Sequence, residues 1–188
     1  MKTNSKNIGN AYEREFSYKL SEWITGDKNS DVCYRDLSSG ARNTVRTKQG
    51  KQTAHKGDIV CTDLQYADFF KKYYIDTKSY KAFNPIMINP KNMKTNKIFQ
   101  QWVKTVDESL DMIPVMPCKI RDHVTPEFIL FPNNLPVDAP FRIPFIHGSK
   151  IFYDFFDMEK YNCFIVLQEE FFRLNKYEDF LEKVKENI

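Results

Sequence analysis

Asp58, Asp76 and Lys78 are the side chains of this sequence best placed to do chemistry. The stretch Tyr73-Tyr74-Ile75-Asp76-Thr77-Lys78 has the aromatic and β-branched character of a strand, yet it carries an acid and a base two positions apart. Alternation along a strand puts Asp76 and Lys78 on one side and Ile75 and Thr77 on the other. An acid and an ammonium projecting together can bind a divalent cation and position a water beside it. A second carboxylate, Asp58, heads the apolar run Gly57-Asp58-Ile59-Val60-Cys61, a further predicted strand. Each feature alone is commonplace, as a solvated strand face or a turn acid. Their occurrence together and in this order is what points to a site.

These residues need elements to carry them. An amphipathic helix is expected from about Ile8 to Thr25, with Ile8, Ala11, Tyr12, Phe16, Leu20 and Trp23 on one stripe, Asn7 as N-cap and Gly26-Asp27 as its stop. Glu13 and Glu15 flank opposite edges of that stripe, and periodicity does not choose which faces inward. Strands are expected at Asp31–Leu37, Asp58–Thr62 and Lys72–Lys78, with Asp63–Lys71 as the connection between the last two. A second helix runs from about Thr95 to Met112, burying Ile98, Trp102, Val103, Val106 and Leu110 and ending before Pro114. Apolar runs at Val115–Ile120, Phe128–Phe131, Phe141–Ile146, Ile151–Phe155 and Cys163–Leu167 read as further strands. Helical patterning closes the chain at Glu169–Leu174 and Tyr177–Val184.

With 188 residues, 41% of them hydrophobic and 15% aromatic, the chain supports one well-packed domain. No run approaches the roughly 18 apolar residues that cross a bilayer. Met1–Asn7 contains no apolar signal region, so a soluble, cytoplasmic protein without a membrane partner is expected. Cys33, Cys61, Cys118 and Cys163 form no C-x-x-C pair and read as small buried hydrophobes; together with His55, His123 and His147 they show no zinc-ligand spacing. The net charge of +3 conceals an asymmetry. Residues 1–104 hold 19 Lys and Arg against 10 Asp and Glu, a balance of +9, whereas residues 105–188 hold 9 against 15, a balance of −6. The basic half carries the Asp and Lys constellation, and a positive surface around carboxylates suits a polyanion. Within it, Ala41–Lys56 contains Arg42, Arg46, Lys48, Lys51 and Lys56 and no acid, which reads as a phosphate-tracking flap or as a disordered segment.

Glu13 in the first helix, Asp58, and Asp76-x-Lys78 in the order helix, strands, helix resemble the PD-(D/E)XK nuclease superfamily. The likeness is sharpest toward Holliday-junction resolvases of the archaeal type and their phage relatives. It rests on Gly9-Asn10-Ala11-Tyr12-Glu13-Arg14-Glu15, Arg35 with Ser38-Ser39-Gly40, Gly57-Asp58-Ile59-Val60 and Ile75-Asp76-Thr77-Lys78. The resemblance implies an α/β fold, a central mixed β-sheet flanked by helices, with a restriction-endonuclease-like core over about residues 8–132 and a C-terminal α+β extension over 133–188. It further implies a Mg²⁺-dependent DNA endonuclease, with Mn²⁺ as substitute, that hydrolyses phosphodiester bonds in branched DNA as a homodimer. Asp58, Asp76 and the Thr77 carbonyl would hold the metal, with Glu13 nearby, and Lys78 would orient or help activate the attacking water. Arg35 and Ser39 would contact the DNA backbone, joined by the basic segment and by Gln100 or Gln101 from the second helix. Asp76 stands where resolvases usually carry Glu, a side chain shorter by one methylene. The alternatives are a restriction- or repair-type nuclease on linear DNA and a non-catalytic DNA-binding module on the same scaffold. The richness in Lys, Asn, Ile and Phe suits an AT-rich genome such as a phage, whose product would act in the host cytoplasm.

Overall fold

The computed structural model of the protein describes residues 5–36, 57–61, 63–81, 96–121, 126–132, 151–152 and 161–177. In chain order the elements are α1 (Ser5–Thr25), β1 (Cys33–Arg35), β2 (Ile59–Cys61), a single 3₁₀ turn (Leu64–Tyr66), α2 (Ala67–Lys72), β3 (Tyr73–Ile75) and β4 (Lys78–Tyr80). There follow α3 (Lys97–Ser109), β5 (Ile113–Ile120), β6 (Phe128–Pro132), β7 (Ile151–Phe152), β8 (Cys163–Leu167) and α4 (Gln168–Leu174). The expected strand at Phe141–Ile146, and the end of the chain beyond Tyr177, lie outside the described residues. No helix among the described residues is long and apolar enough to cross a membrane.

The architecture is mixed α/β. Strand β5 is the axis of the main sheet: β3 and β4 pair with it in parallel, and β6 pairs antiparallel on its other side, followed by β8 and β7. Both faces of this sheet are covered, so its strands read as near-continuous apolar runs. Ile113, Val115, Ile129, Phe131 and Val166 pack with Tyr12, Phe16, Leu20 and Ile24 of α1 and with Phe171 of α4. Met116, Cys118, Ile120, Phe128, Leu130 and Ile165 pack with Ile98, Phe99 and Trp102 of α3. Trp102 is fully buried and donates its indole N–H to the Tyr161 carbonyl at 2.8 Å, a core role.

Three elements depart from expectation. First, α1 begins at Ser5, so Asn7 lies within the helix rather than capping it; Gly26 does stop it, at φ +72°. Secondly, the strand expected over Lys72–Lys78 is broken. Lys72 ends α2, and pairing lapses at Asp76-Thr77 between β3 and β4. The register supplies the cause. Asp76 stands opposite Met116 and its N–H reaches the Val115 carbonyl at 3.0 Å, so the next parallel ladder bond would run from residue 117 to the Asp76 carbonyl. Residue 117 is proline and has no N–H to give. Thirdly, the buried face of α3 is Ile98, Phe99, Trp102, Thr105 and Ser109, while Leu110 is exposed. The stripe is rotated so that two hydroxyls point inward.

A separate two-stranded antiparallel sheet, β1 with β2, lies against α1. Its register continues beyond the strands, where Asp36 N–H donates to the Asp58 carbonyl at 2.8 Å. Asp58 N–H in turn donates to the Ile75 carbonyl at 2.7 Å, which stitches this sheet to the end of β3. Gly57 makes that approach possible. It sits at φ +103°, and a Cβ there would lie 2.8 Å from the Ile75 carbonyl oxygen and 3.2 Å from its nitrogen. Both are backbone atoms that cannot step aside.

Gly57→Ala is therefore expected to destabilise the fold by roughly 1–3 kcal/mol from backbone strain alone, and by more once the contact with Ile75 is included. Urea denaturation checks this, and an unchanged midpoint would show that Gly57 does not set the position of Asp58.

Candidate active site

Two stretches of chain converge where the sheet pairing lapses, with helices α3 and α1 beside them. Asp58 arrives from the head of β2, Asp76 and Thr77 from the gap between β3 and β4, and Lys78 from the first position of β4. The Lys78 ammonium ion-pairs with Asp76 Oδ1 and stands 3.9 Å from Asp58 Oδ2. Asp76 and Lys78 thus share a side, as alternation requires. Thr77 contributes its backbone N–H to Asp58 Oδ2 at 2.9 Å and its hydroxyl to the same oxygen at 3.3 Å. These bonds fix the orientation of the Asp58 carboxylate.

Helix α3 forms the wall behind Asp76. The Thr105 hydroxyl donates to Asp76 Oδ2 at 2.5 Å, and Gln101 Nε2 lies 3.4 Å from the same oxygen. With Lys78 on Oδ1 and Thr105 on Oδ2, the carboxylate of a residue only 5% exposed is held at both ends. Gln101, expected on DNA, touches the site itself. Thr105 has no place in the expected stripe; its signal is a hydroxyl three positions after Trp102, on the helix face that Ile98 and Trp102 define.

Helix α1 supplies the third acid. Glu13 pairs with Arg35 at the end of β1, and both side chains are largely buried, at 15% and 20% exposed. The ambiguity between the two helix glutamates is thereby resolved. Glu15 turns instead to Lys119, at 2.5 Å, and to Lys19, at 3.1 Å. Those ammonium groups also reach Glu127, which ties α1 to β5 and to the head of β6. Burial works against its charge, but hydrogen bonds from Lys119 and Lys19 hold the Glu15 carboxyl below its ordinary range. Arg35, expected to contact DNA, has its guanidinium on Glu13. Of the other residues expected on DNA, Ser39, Arg42, Arg46, Lys48, Lys51 and Lys56 lie outside the described residues.

The electrostatics of the cluster are out of balance. Burial pushes the Asp58 carboxyl up to about 7, and the nearby charge of Asp76 pushes the same way; Lys78 opposes them without winning, and Glu13 adds to the rise. Burial also penalises the Lys78 ammonium, yet Asp76 and Asp58 outweigh it and hold its pKa above the ordinary lysine value. The site therefore carries more buried negative charge than its one ammonium neutralises. Among the described residues, no three His, Cys, Asp or Glu side chains converge closely enough to hold a metal ion by themselves. The reason is visible in the contacts: Glu13 is drawn to Arg35, and Lys78 stands between the two aspartates. The donor chemistry nevertheless suits a hard divalent cation, since Asp58 and Asp76 offer carboxylate oxygens beside one another in a partly dry setting.

No protein-family model, curated protein or solved structure matches the chain.

The raised Asp58 pKa fixes a sign for stability. The folded state holds a proton on Asp58 at pH values where the unfolded chain has lost it, so stability falls as pH rises from about 4, the ordinary carboxyl value, to about 7. Asp58→Asn removes that titration. In metal-free buffer the variant is expected to lose less stability across this interval than the parent, as measured by chemical denaturation at a series of pH values. Parallel curves for the two proteins would contradict the assignment.

Proposed function

We propose that the protein is a divalent-metal-dependent DNA endonuclease with a restriction-endonuclease-like core, acting on branched DNA such as a four-way junction. One observation carries this reading: Asp58 is brought from the head of β2 onto the Asp76-Thr77-Lys78 segment, and the three side chains meet at the lapse in sheet pairing with an excess of buried negative charge. A structural ion pair would be expected to balance its charges on burial, whereas a cation site holds surplus carboxylate until the cation arrives. Asp58 and Asp76 would hold the ion, with Thr77 beside them and Glu13 within electrostatic reach. Bound Mg²⁺ supplies charge neutralisation at the phosphate and acidifies a coordinated water.

The chain's own residues supply orientation. Thr105 fixes the carboxylate of Asp76 and Thr77 that of Asp58. Lys78, held protonated by its two aspartates, acts as a cation that orients the attacking water and stabilises charge on the phosphate; it is not the base. Arg35 serves by holding Glu13 in place. The +9 balance of residues 1–104 supplies the positive field that draws a polyanion to the carboxylates. Two protomers about a two-fold axis would match the symmetry of a four-way junction and place one cut on each of two opposed strands.

Purified protein with Mg²⁺ is expected to cut a synthetic four-way junction. Asp76→Asn and Lys78→Ala should each lower the cleavage rate by at least about a hundredfold while gel-shift binding of the junction persists. Equal cutting of linear duplex would move the reading to a restriction- or repair-type enzyme. Junction binding by folded protein, with no cutting in either Mg²⁺ or Mn²⁺, would overturn catalysis and leave a DNA-binding module.

A further inference from the structure

We propose that Cys33 and Cys61 form a cross-strand dithiol that closes to an intramolecular disulfide, a covalent modification site that clamps β1 to β2. The two are direct partners in the antiparallel register. The phase of the ladder is set by the backbone bonds around them. Cys33 N–H donates to Ser21 Oγ at 2.9 Å, and the Cys33 carbonyl lies 3.4 Å from the same hydroxyl, so both of its backbone groups face α1 rather than β2. Three positions on, Asp36 N–H does bond across, to Asp58. Cys33 and Cys61 therefore occupy a non-hydrogen-bonded pair, where opposed Cα atoms lie about 4.5 Å apart and side chains approach most closely. That separation falls within the roughly 4.4–6.8 Å that a disulfide accepts, so closure needs no large backbone movement.

The thiols already meet. Burial is the larger effect and holds both above the ordinary thiol range; their proximity favours the ionised form of Cys61 and the protonated form of Cys33, and the Cys61 thiol also donates to the Asp63 carbonyl at 3.7 Å. Exposure is asymmetric in the same sense: Cys33 is 2% exposed, whereas Cys61 is partly accessible. Cys61 is thus the point of entry and Cys33 the resolving thiol. Cys118 and Cys163 are fully buried and are not register partners of each other.

The oxidant is a low-molecular-weight disulfide. The Cys61 thiolate attacks one of its sulfurs, the oxidant's S–S bond breaks, and one small thiolate leaves. Cys33 then gives its proton to solvent and attacks Cys61 Sγ; the mixed disulfide breaks and the second small thiolate departs. Both protein thiols are oxidised and one small disulfide becomes two thiols. Because burial raises both thiols, the reaction should accelerate with pH. The bond closes the chain around the segment that ends in Asp58, and this chemistry is independent of what the carboxylate site binds.

The test treats the full chain with oxidised glutathione at mildly alkaline pH, followed by peptide mass mapping and thermal denaturation. The expected result is one internal crosslink joining the Cys33 and Cys61 peptides, with the loss of two hydrogens. A rise in melting temperature of roughly 5 °C, reversed by reductant, should accompany it. Cys33→Ser should stop at a mixed disulfide on Cys61, and Cys61→Ser should take up no glutathione at either position. A crosslink that involves Cys118 or Cys163, a crosslink between chains, or reduced Cys33 and Cys61 after prolonged exposure of the parent protein would each overturn the proposal.

Discussion

Two aspartates and one ammonium share a space that burial makes expensive for all three. Water would ordinarily separate such charges, yet here Asp76 is 5% exposed and Lys78 and Asp58 are close to it. Burial, reinforced by the charge of Asp76, raises the Asp58 carboxyl to about 7, and the ammonium, which is drawn to Asp76, does not offset them as it would for an ordinary ion-paired acid. The rest of the molecule can be understood as the means of holding that arrangement against its own electrostatics.

Three backbone features do the holding. Pro117 withholds the ladder bond that would have kept β3 and β4 a single strand, while the Thr77 N–H, on the edge facing away from β5, donates to Asp58. Gly57 lets the head of β2 approach Ile75 closely enough for Asp58 N–H to pair with its carbonyl. Helix α3 rotates its buried face so that Thr105 reaches Asp76, and the apolar packing of Ile98, Phe99 and Trp102 locks that rotation. None of these is costly by itself. Together they fix both carboxylates by hydrogen bonds from residues that have no freedom to turn away, which is the preorganisation a cation site needs.

The motif residues were legible in the sequence because their signals are short in range. Strand periodicity alone puts Asp76 and Lys78 on one side, and the junction of a glycine, an acid and an apolar run marks Asp58. The alternation of helical and strand patterns gave the elements, and the resemblance carried by the motif residues implied their α/β arrangement around a mixed sheet. What could not be read depends on partners distant in sequence. The break at Asp76-Thr77 requires knowing that Pro117 stands opposite, some forty residues later by register. The destination of Arg35 depends on which edge of α1 faces β1. The inward turn of Thr105 shifts the stripe away from Leu110, which is exposed, while Val106 still packs at its edge, because a hydroxyl with a buried carboxylate to satisfy outranks one more aliphatic contact. Helix α2 was missed within what looked like a connection, since Ala67–Lys72 is too short for periodicity to register.

The coupling between Asp58 and Asp76 is open to direct measurement by NMR titration of the labelled aspartate carboxyl carbons in metal-free protein. The Asp58 signal should titrate near neutrality, far above the ordinary carboxyl range, and should move back toward that range in Asp76→Asn. An Asp58 carboxyl that titrates at the ordinary value, and is indifferent to Asp76→Asn, would mean that the two acids do not share a site.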